Sequence, residues 1–131
     1  MFNFQTLICE LTGFSIANAS LLDEGTAAAE AMTMGFASRK NKHSNVFLLD
    51  ENVHDHTFNV LLTRANPLGI NLKRFTQNNL NNFDNVFGIL IQLPGKDGQL
   101  FDPTFLISKA HKEEIIVTSI IDPLAQVLIN Q

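Results

Sequence analysis

Tryptophan and tyrosine are absent from the 131 residues while phenylalanine occurs 11 times, a bias that reads as a compositional habit of the source and carries no chemistry. A single cysteine, Cys9, excludes an internal disulfide and fits a reducing compartment; its apolar helical surroundings lead us to expect a buried structural thiol. No run approaches the roughly 20 apolar residues of a membrane span, and no charged segment leads into an apolar core at the N-terminus. A soluble, intracellular protein is expected. Acidic residues outnumber basic ones 13 to 9, with a formal net charge of -4 and a pI near 5.4. No basic field awaits a phosphate backbone, so no nucleic-acid partner is expected. Neither GxGxxG nor GxxxxGK[ST] follows any strand-like run, which disfavours a small nucleotide-binding domain.

What is present suffices for one core. Hydrophobic residues make up 45%, and neither an internal repeat nor a long linker divides the chain, so residues 1–131 are expected to form a single domain. Phe4, Leu7, Ile8 and Leu11 recur at helical spacing before Gly13, predicting a helix over Phe2 to Thr12. Asp23 and Thr26 introduce an alanine-rich helix reaching about Ser38. Val46 to Leu49 predicts a strand, and Phe58, Leu61, Leu62 and Ala65 a helix stopped by Pro67 and Gly69. Ile70 to Phe75 predicts a further strand, Gln77 to Asn85 a loop, and Val86 to Leu93 a fully buried strand ending at Pro94. Pro103 suits the first position of a helix through about Lys112, and Ile115 to Ile121 is a β-branched strand. Helices alternating with continuous apolar strands predict a three-layer α/β/α fold with a mostly parallel sheet.

Asp23-Glu24-Gly25-Thr26 before the alanine-rich helix has the makings of an anion site, since free N–H groups and the helix dipole favour phosphate. The simpler alternative is a capped helix packed on a sheet, and the two carboxylates oppose a phosphate. His54 and His56 lack the cysteine or carboxylate cluster that would complete a zinc site; on the residues alone, His54 reads first as a loop histidine capping the next helix. Asp122 stands where open α/β sheets gather ligand-binding side chains, at a strand's carboxyl end, although Asp before Pro also makes an ordinary exposed turn.

The segment Asn18 to Met32, reading NASLLDEGTAAAEAM, resembles the P-protein family of the glycine cleavage system, pyridoxal-phosphate (PLP) dependent decarboxylating glycine dehydrogenases of fold-type I. The similarity runs from the preceding helix to the last strand, in order, over essentially the whole chain. The resemblance implies a partial large domain in which Asn18, Ser20, Asp23, Gly25 and Thr26 line a cleft. It places His54 beside that cleft, although the family's His-Pro-Gln-Thr is here His-Asp-His-Thr, and it makes Asp122 a partner for the cofactor's pyridine nitrogen. It further implies a parent that decarboxylates glycine and passes the aminomethyl group to the lipoyl arm of the H-protein, as an oligomer in the cytoplasm, or in the mitochondrion of a eukaryote. No lysine follows Lys112, so the residue that anchors PLP is expected elsewhere, and the similarity is to the family's N-terminal half, which does not bear it. The alternative is a catalytically silent domain that completes the cleft of a partner chain. A partial sheet with an open edge also predicts self-association.

Overall fold

The computed structural model describes residues 2–76, 80 and 82–129. Its helices are α1 (Phe2–Thr12), α2 (Glu24–Ser38), α3 (Asp55–Ala65), α4 (Thr104–Lys112) and the short α5 (Pro123–Gln126), with a 3-10 turn at Asn66–Leu68. The strands β1 (Val46–Asp50), β2 (Asn71–Phe75), β3 (Val86–Leu93) and β4 (Ile116–Ile121) form one sheet in the order β2-β1-β3-β4. Every neighbouring pair is parallel.

Two apolar clusters sit on opposite faces of that sheet. Ala28, Ala29 and Met32 of α2 and Leu61 and Ala65 of α3 pack over Phe47, Leu49 and Leu90. On the other face, Ala110 of α4 joins Val46, Leu48, Ile89, Ile91 and Leu93. The expected three layers are therefore present. Strand alternation explains the sorting, because successive side chains of one strand point to opposite faces. Small residues bring α2 close to its neighbours: a Cβ on Gly25 would lie 3.2 Å from Val60 Cγ2 of α3.

The boundaries shift slightly from the sequence-based ones. Pro103 stands just outside α4, its carbonyl accepting from Ile107 N at 2.9 Å, so it serves as the cap and not as the first helical residue. Ile70 and Ile115 are buried but lie just before β2 and β4; their N–H groups close the preceding helices on Ala65 O and Ala110 O. The loop expected over Gln77 to Asn85 falls partly outside the described residues.

One expectation fails. Cys9 is only half-buried, because α1 holds no buried residue. Its apolar stripe is real, but Phe4 and Leu7 are 45% and 51% exposed. Helix α1 is tied to the body through α5, where Gln126 Nε2 donates to Thr12 O at 3.1 Å.

Candidate functional site at the carboxyl edge of the sheet

In a parallel sheet all carboxyl ends share one edge, and helices running back against the strands begin there. Between β1 and β3 the strand order reverses, since β2 lies on one side of β1 and β4 beyond β3; such a reversal is where open α/β sheets bind ligands.

Three elements meet at this edge on one carboxylate. Glu24, in the first turn of α2, accepts at Oε1 from Thr57 Oγ1 of α3 (3.1 Å) and from Gln92 Nε2 of β3 (3.4 Å). Thr57 and Gln92 are 1% and 4% exposed. Glu24 also borders a cleft of about 420 Å³ between α2 and β4, with Ala27, Ala28, Ala31 and Thr118 to Ile121 as its other walls.

Asp23 caps α2 and is extended there, its Oδ1 accepting from Thr26 N at 2.6 Å. The Thr26 hydroxyl, then the Thr26 N–H, hold this exposed carboxyl below its usual range. Asp122 follows β4 at the same edge; its Oδ1 accepts from Leu124 N at 2.7 Å and its own N–H donates to Leu93 O. That capping starts α5, so the Asp-Pro pair opens a short helix and not an isolated turn. His54 is exposed and occupies the cap position of α3, yet its side chain makes no capping hydrogen bond there. Its neighbour Asp55 meets Arg74 at 3.1 Å and Lys96 at 3.8 Å, tying α3 to β2 and to the loop after β3.

Asn18 and Ser20 are not in the Glu24 cleft. They line a separate one of about 450 Å³ with Phe4, Ile8, Phe14 and Ile16, beside α1. The structure thus groups Asp23, Gly25, Thr26, His54 and Asp122 along one edge and sets Asn18 and Ser20 beside it. Sequence reasoning missed Glu24, Thr57 and Gln92 as a set; the signal for one of them was a lone glutamine inside the otherwise apolar run Val86 to Leu93. Among the described residues no group of three His, Cys, Asp or Glu side chains could hold a metal ion, and no helix is long and apolar enough to cross a membrane.

Asp50, at the carboxyl end of β1, was also missed. It is 2% exposed; Oδ1 accepts from Asn52 N at 2.9 Å and Oδ2 has no partner. Burial pushes its carboxyl above the usual value of 3.8, against the pull of the Asn52 N–H and with a smaller upward push from Glu51 and Asp97. The folded chain therefore holds this proton more tightly than the unfolded one. The stability it contributes is complete below 3.8 and is lost as pH rises through the raised folded value. Asp50→Asn, which cannot ionise, should melt above the parent at pH 7 by about 4 °C, corresponding to about 1 kcal/mol. That gain should shrink as the pH is lowered past the raised value; thermal melts of both proteins from pH 4 to 7 check it, and a gain independent of pH would refute it.

A parallel sheet wound on both faces, with its strand-end polar groups at a chain reversal, is consistent with part of the architecture of fold-type I PLP-dependent transferases. The solved structure titled "Crystal structure of glycine decarboxylase (P-protein) of the glycine cleavage system, in inhibitor-bound form" superposes with a TM-score of 0.82 at 27% identity, over 95% of this chain and 29% of that one. The family model described as "Glycine cleavage system P-protein" matches residues 1–131, and the chain belongs to that family. It is 61% identical over 130 residues to the glycine dehydrogenase (decarboxylating) of Prochlorococcus marinus (strain NATL1A), covering 99% of this chain and 13% of that protein. Against the protein of the same description from Parasynechococcus marenigrum (strain WH8102), identity is 56% over 129 residues, covering 98% of this chain and 14% of that protein. The chain therefore spans about one seventh or less of the length of these relatives.

The residues present do not suit the phosphate of PLP. Asp23 already occupies the Thr26 N–H, and the Glu24 carboxylate stands in the same helical turn. Placing a phosphate there would set three anionic groups around one helix start, against the single favourable pole of its dipole.

Proposed function

We propose that this polypeptide is a piece of the glycine-decarboxylating component of the glycine cleavage system, and that it acts as scaffold and cleft wall without carrying the cofactor itself. The observation behind this is the match to the P-protein family along the whole chain, at 61% identity to a glycine dehydrogenase (decarboxylating). The parent would use PLP held elsewhere in its longer chain, take glycine as substrate, and deliver the aminomethyl group to the lipoyl H-protein in the cytoplasm. Residues 1–131 would form one partial domain of it.

Within that reaction this chain's own residues orient and enclose. Asp23 and Asp122 fix the starts of α2 and α5, and His54 stands exposed at the start of α3. Thr57 and Gln92 are buried at the strand ends and hold the exposed Glu24 carboxylate from two other elements. Residues 123–131 hold no lysine, and the amine that anchors PLP would lie elsewhere in the longer parent. The second reading, a silent domain that completes a partner's cleft, differs only in whether the partner is a separate chain.

Glycine–bicarbonate exchange with added lipoyl H-protein tests this. The chain alone should give no exchange and no yellow, borohydride-sensitive absorbance with PLP. Added to a P-protein from which the corresponding residues have been deleted, it should restore exchange above the background of either part. Turnover by the chain alone would overturn the scaffold assignment, and failure to complement would overturn the assignment to this reaction.

A further inference from the structure

The amino ends of a parallel sheet share the edge opposite the strand-end cleft, and the connections leading into β1, β3 and β4, three neighbouring strands, converge there. Between them lies a cavity of about 260 Å³. Its walls include Arg39 and Ser44 ahead of β1, Asp84 and Asn85 ahead of β3, and Glu113 and Glu114 ahead of β4. Asn85 (φ 59) and Glu114 (φ 58) are the two non-glycine residues with left-handed backbone among those described, and both stand on this wall. Such conformations gather at turns and ligand clamps.

Ser44 is 4% exposed, and its N–H closes a turn on Asn41 O at 3.1 Å. Its hydroxyl makes no hydrogen bond among the described residues, yet it is not one of their sealed polar atoms, so the little surface it keeps opens on the cavity. A nearly buried hydroxyl without a partner marks a missing one. Arg39, on the same connection, is a charge fixed in place. Its Nη1 donates to Phe36 O and its Nη2 to Lys42 O at 3.0 Å, and its guanidinium carbon lies 3.5 Å from the centre of the Phe36 ring. The Arg39 Nε is sealed, so that atom lends the cavity charge and not a hydrogen bond. Among the described residues no carboxylate pairs with Arg39.

The other two connections carry the opposite sign. Glu114 is taken by Lys40, and Asp84 Oδ2 accepts from Asn82 Nδ2 at 2.7 Å, whereas Glu113 has no basic partner among the described residues. A lone anion would suit Ser44 and Arg39 but would be opposed by Asp84 and Glu113. A lone cation would suit those carboxylates but would be opposed by Arg39 and would leave the Ser44 hydroxyl proton unused. A molecule carrying both charges a few bonds apart meets each wall with the sign it lacks. The volume, below the roughly 300 Å³ at which sites for drug-sized ligands begin, limits that molecule to a few heavy atoms.

We infer that this amino-edge cavity binds a small zwitterion, a short α-amino acid, with its carboxylate on the Ser44 hydroxyl and toward Arg39 and its ammonium toward Glu113. The cavity lies at the end of the sheet opposite the strand-end cleft, so the inference holds whether or not the chain takes part in glycine decarboxylation.

The full chain, labelled with 15N, is titrated separately with glycine, sodium acetate and methylammonium chloride, at one pH near 7 and one ionic strength held with sodium chloride. Glycine should shift the backbone amides of Ser44, Asn45, Asn85 and Glu114 along a saturating curve, and acetate and methylammonium, each with half of its charge pattern, should saturate at least about tenfold more weakly or not at all. Ser44→Ala should weaken the glycine response by about tenfold, the size of one hydrogen bond to a charged group. Glu113→Gln should weaken it by a smaller factor, since Glu113 is exposed. Absence of a saturating glycine shift, shifts confined to Gly25, Thr26 and His54 at the other edge, acetate or methylammonium saturating as readily as glycine, or an unaltered response in Ser44→Ala would each overturn the inference. The three wild-type titrations decide it even if a variant fails to fold.

Discussion

Phe47→Ala is expected to remove about 3–5 kcal/mol of folding stability, the range for emptying an aromatic side chain from a packed interior. Phe47 is 1% exposed. Its ring stacks on Phe87 with centroids 5.3 Å apart and planes inclined by 26°, and Phe87 in turn meets Phe36 edge-on at 5.2 Å. Truncation therefore breaks a row of three rings joining β1, β3 and α2, and the rigid strand on either side cannot close the gap. Against a typical total of about 5–15 kcal/mol for a domain, the loss is about a fifth of the stability or more, and the urea midpoint should fall by the same fraction. Urea denaturation followed by far-UV circular dichroism checks it, and a loss below about 1 kcal/mol would show that the ring row is not a core element.

Gly88→Ala should cost about 1–3 kcal/mol for the opposite reason, overfilling. A Cβ there would lie 2.7 Å from Phe47 Cε2 and 2.9 Å from Cδ2, and this ring cannot swing aside because Phe87 stacks against it. The usual gain from replacing a strand glycine, about 0.5–1 kcal/mol, is too small to offset the clash. The two positions should therefore be coupled. With Phe47→Leu in the background, Gly88→Ala should become cheaper by about 1 kcal/mol, above the scatter of about 0.3–0.5 kcal/mol for independent sites. Strictly additive losses would mean that the chain relieves the clash by moving its backbone.

Legibility in the sequence followed the range of the forces involved. Strand β3 was readable to the residue because burial on both faces makes an unbroken apolar run, and Asn85, with φ 59, and Pro94 bound it. The cap at Asp23 was readable because its partner is three residues away. Helix α1 was readable as a helix, but periodicity states only that a stripe exists, not what covers it, and so Cys9 was misplaced in a core. Helix α5, four residues long, is too short to show a period, and Asp-Pro begins a turn as readily as a helix. The Glu24 cluster was invisible because its partners lie 33 and 68 residues away along the chain. Asp50 escaped notice because only the pairing of the strands determines which face it meets.

That the eight residues of β3 are covered on both sides has a consequence for misfolding. A slip of one position against β1 or β4 would send Gln92 to the face of Val46, Leu48 and Ala110 and turn Leu93 toward the Glu24 carboxylate. Both mistakes are costly, and each is detected by a different layer of helices. Competing alignments of the central strand are thus penalised twice before any partner arrives, so the order of the strands is guarded from within the chain.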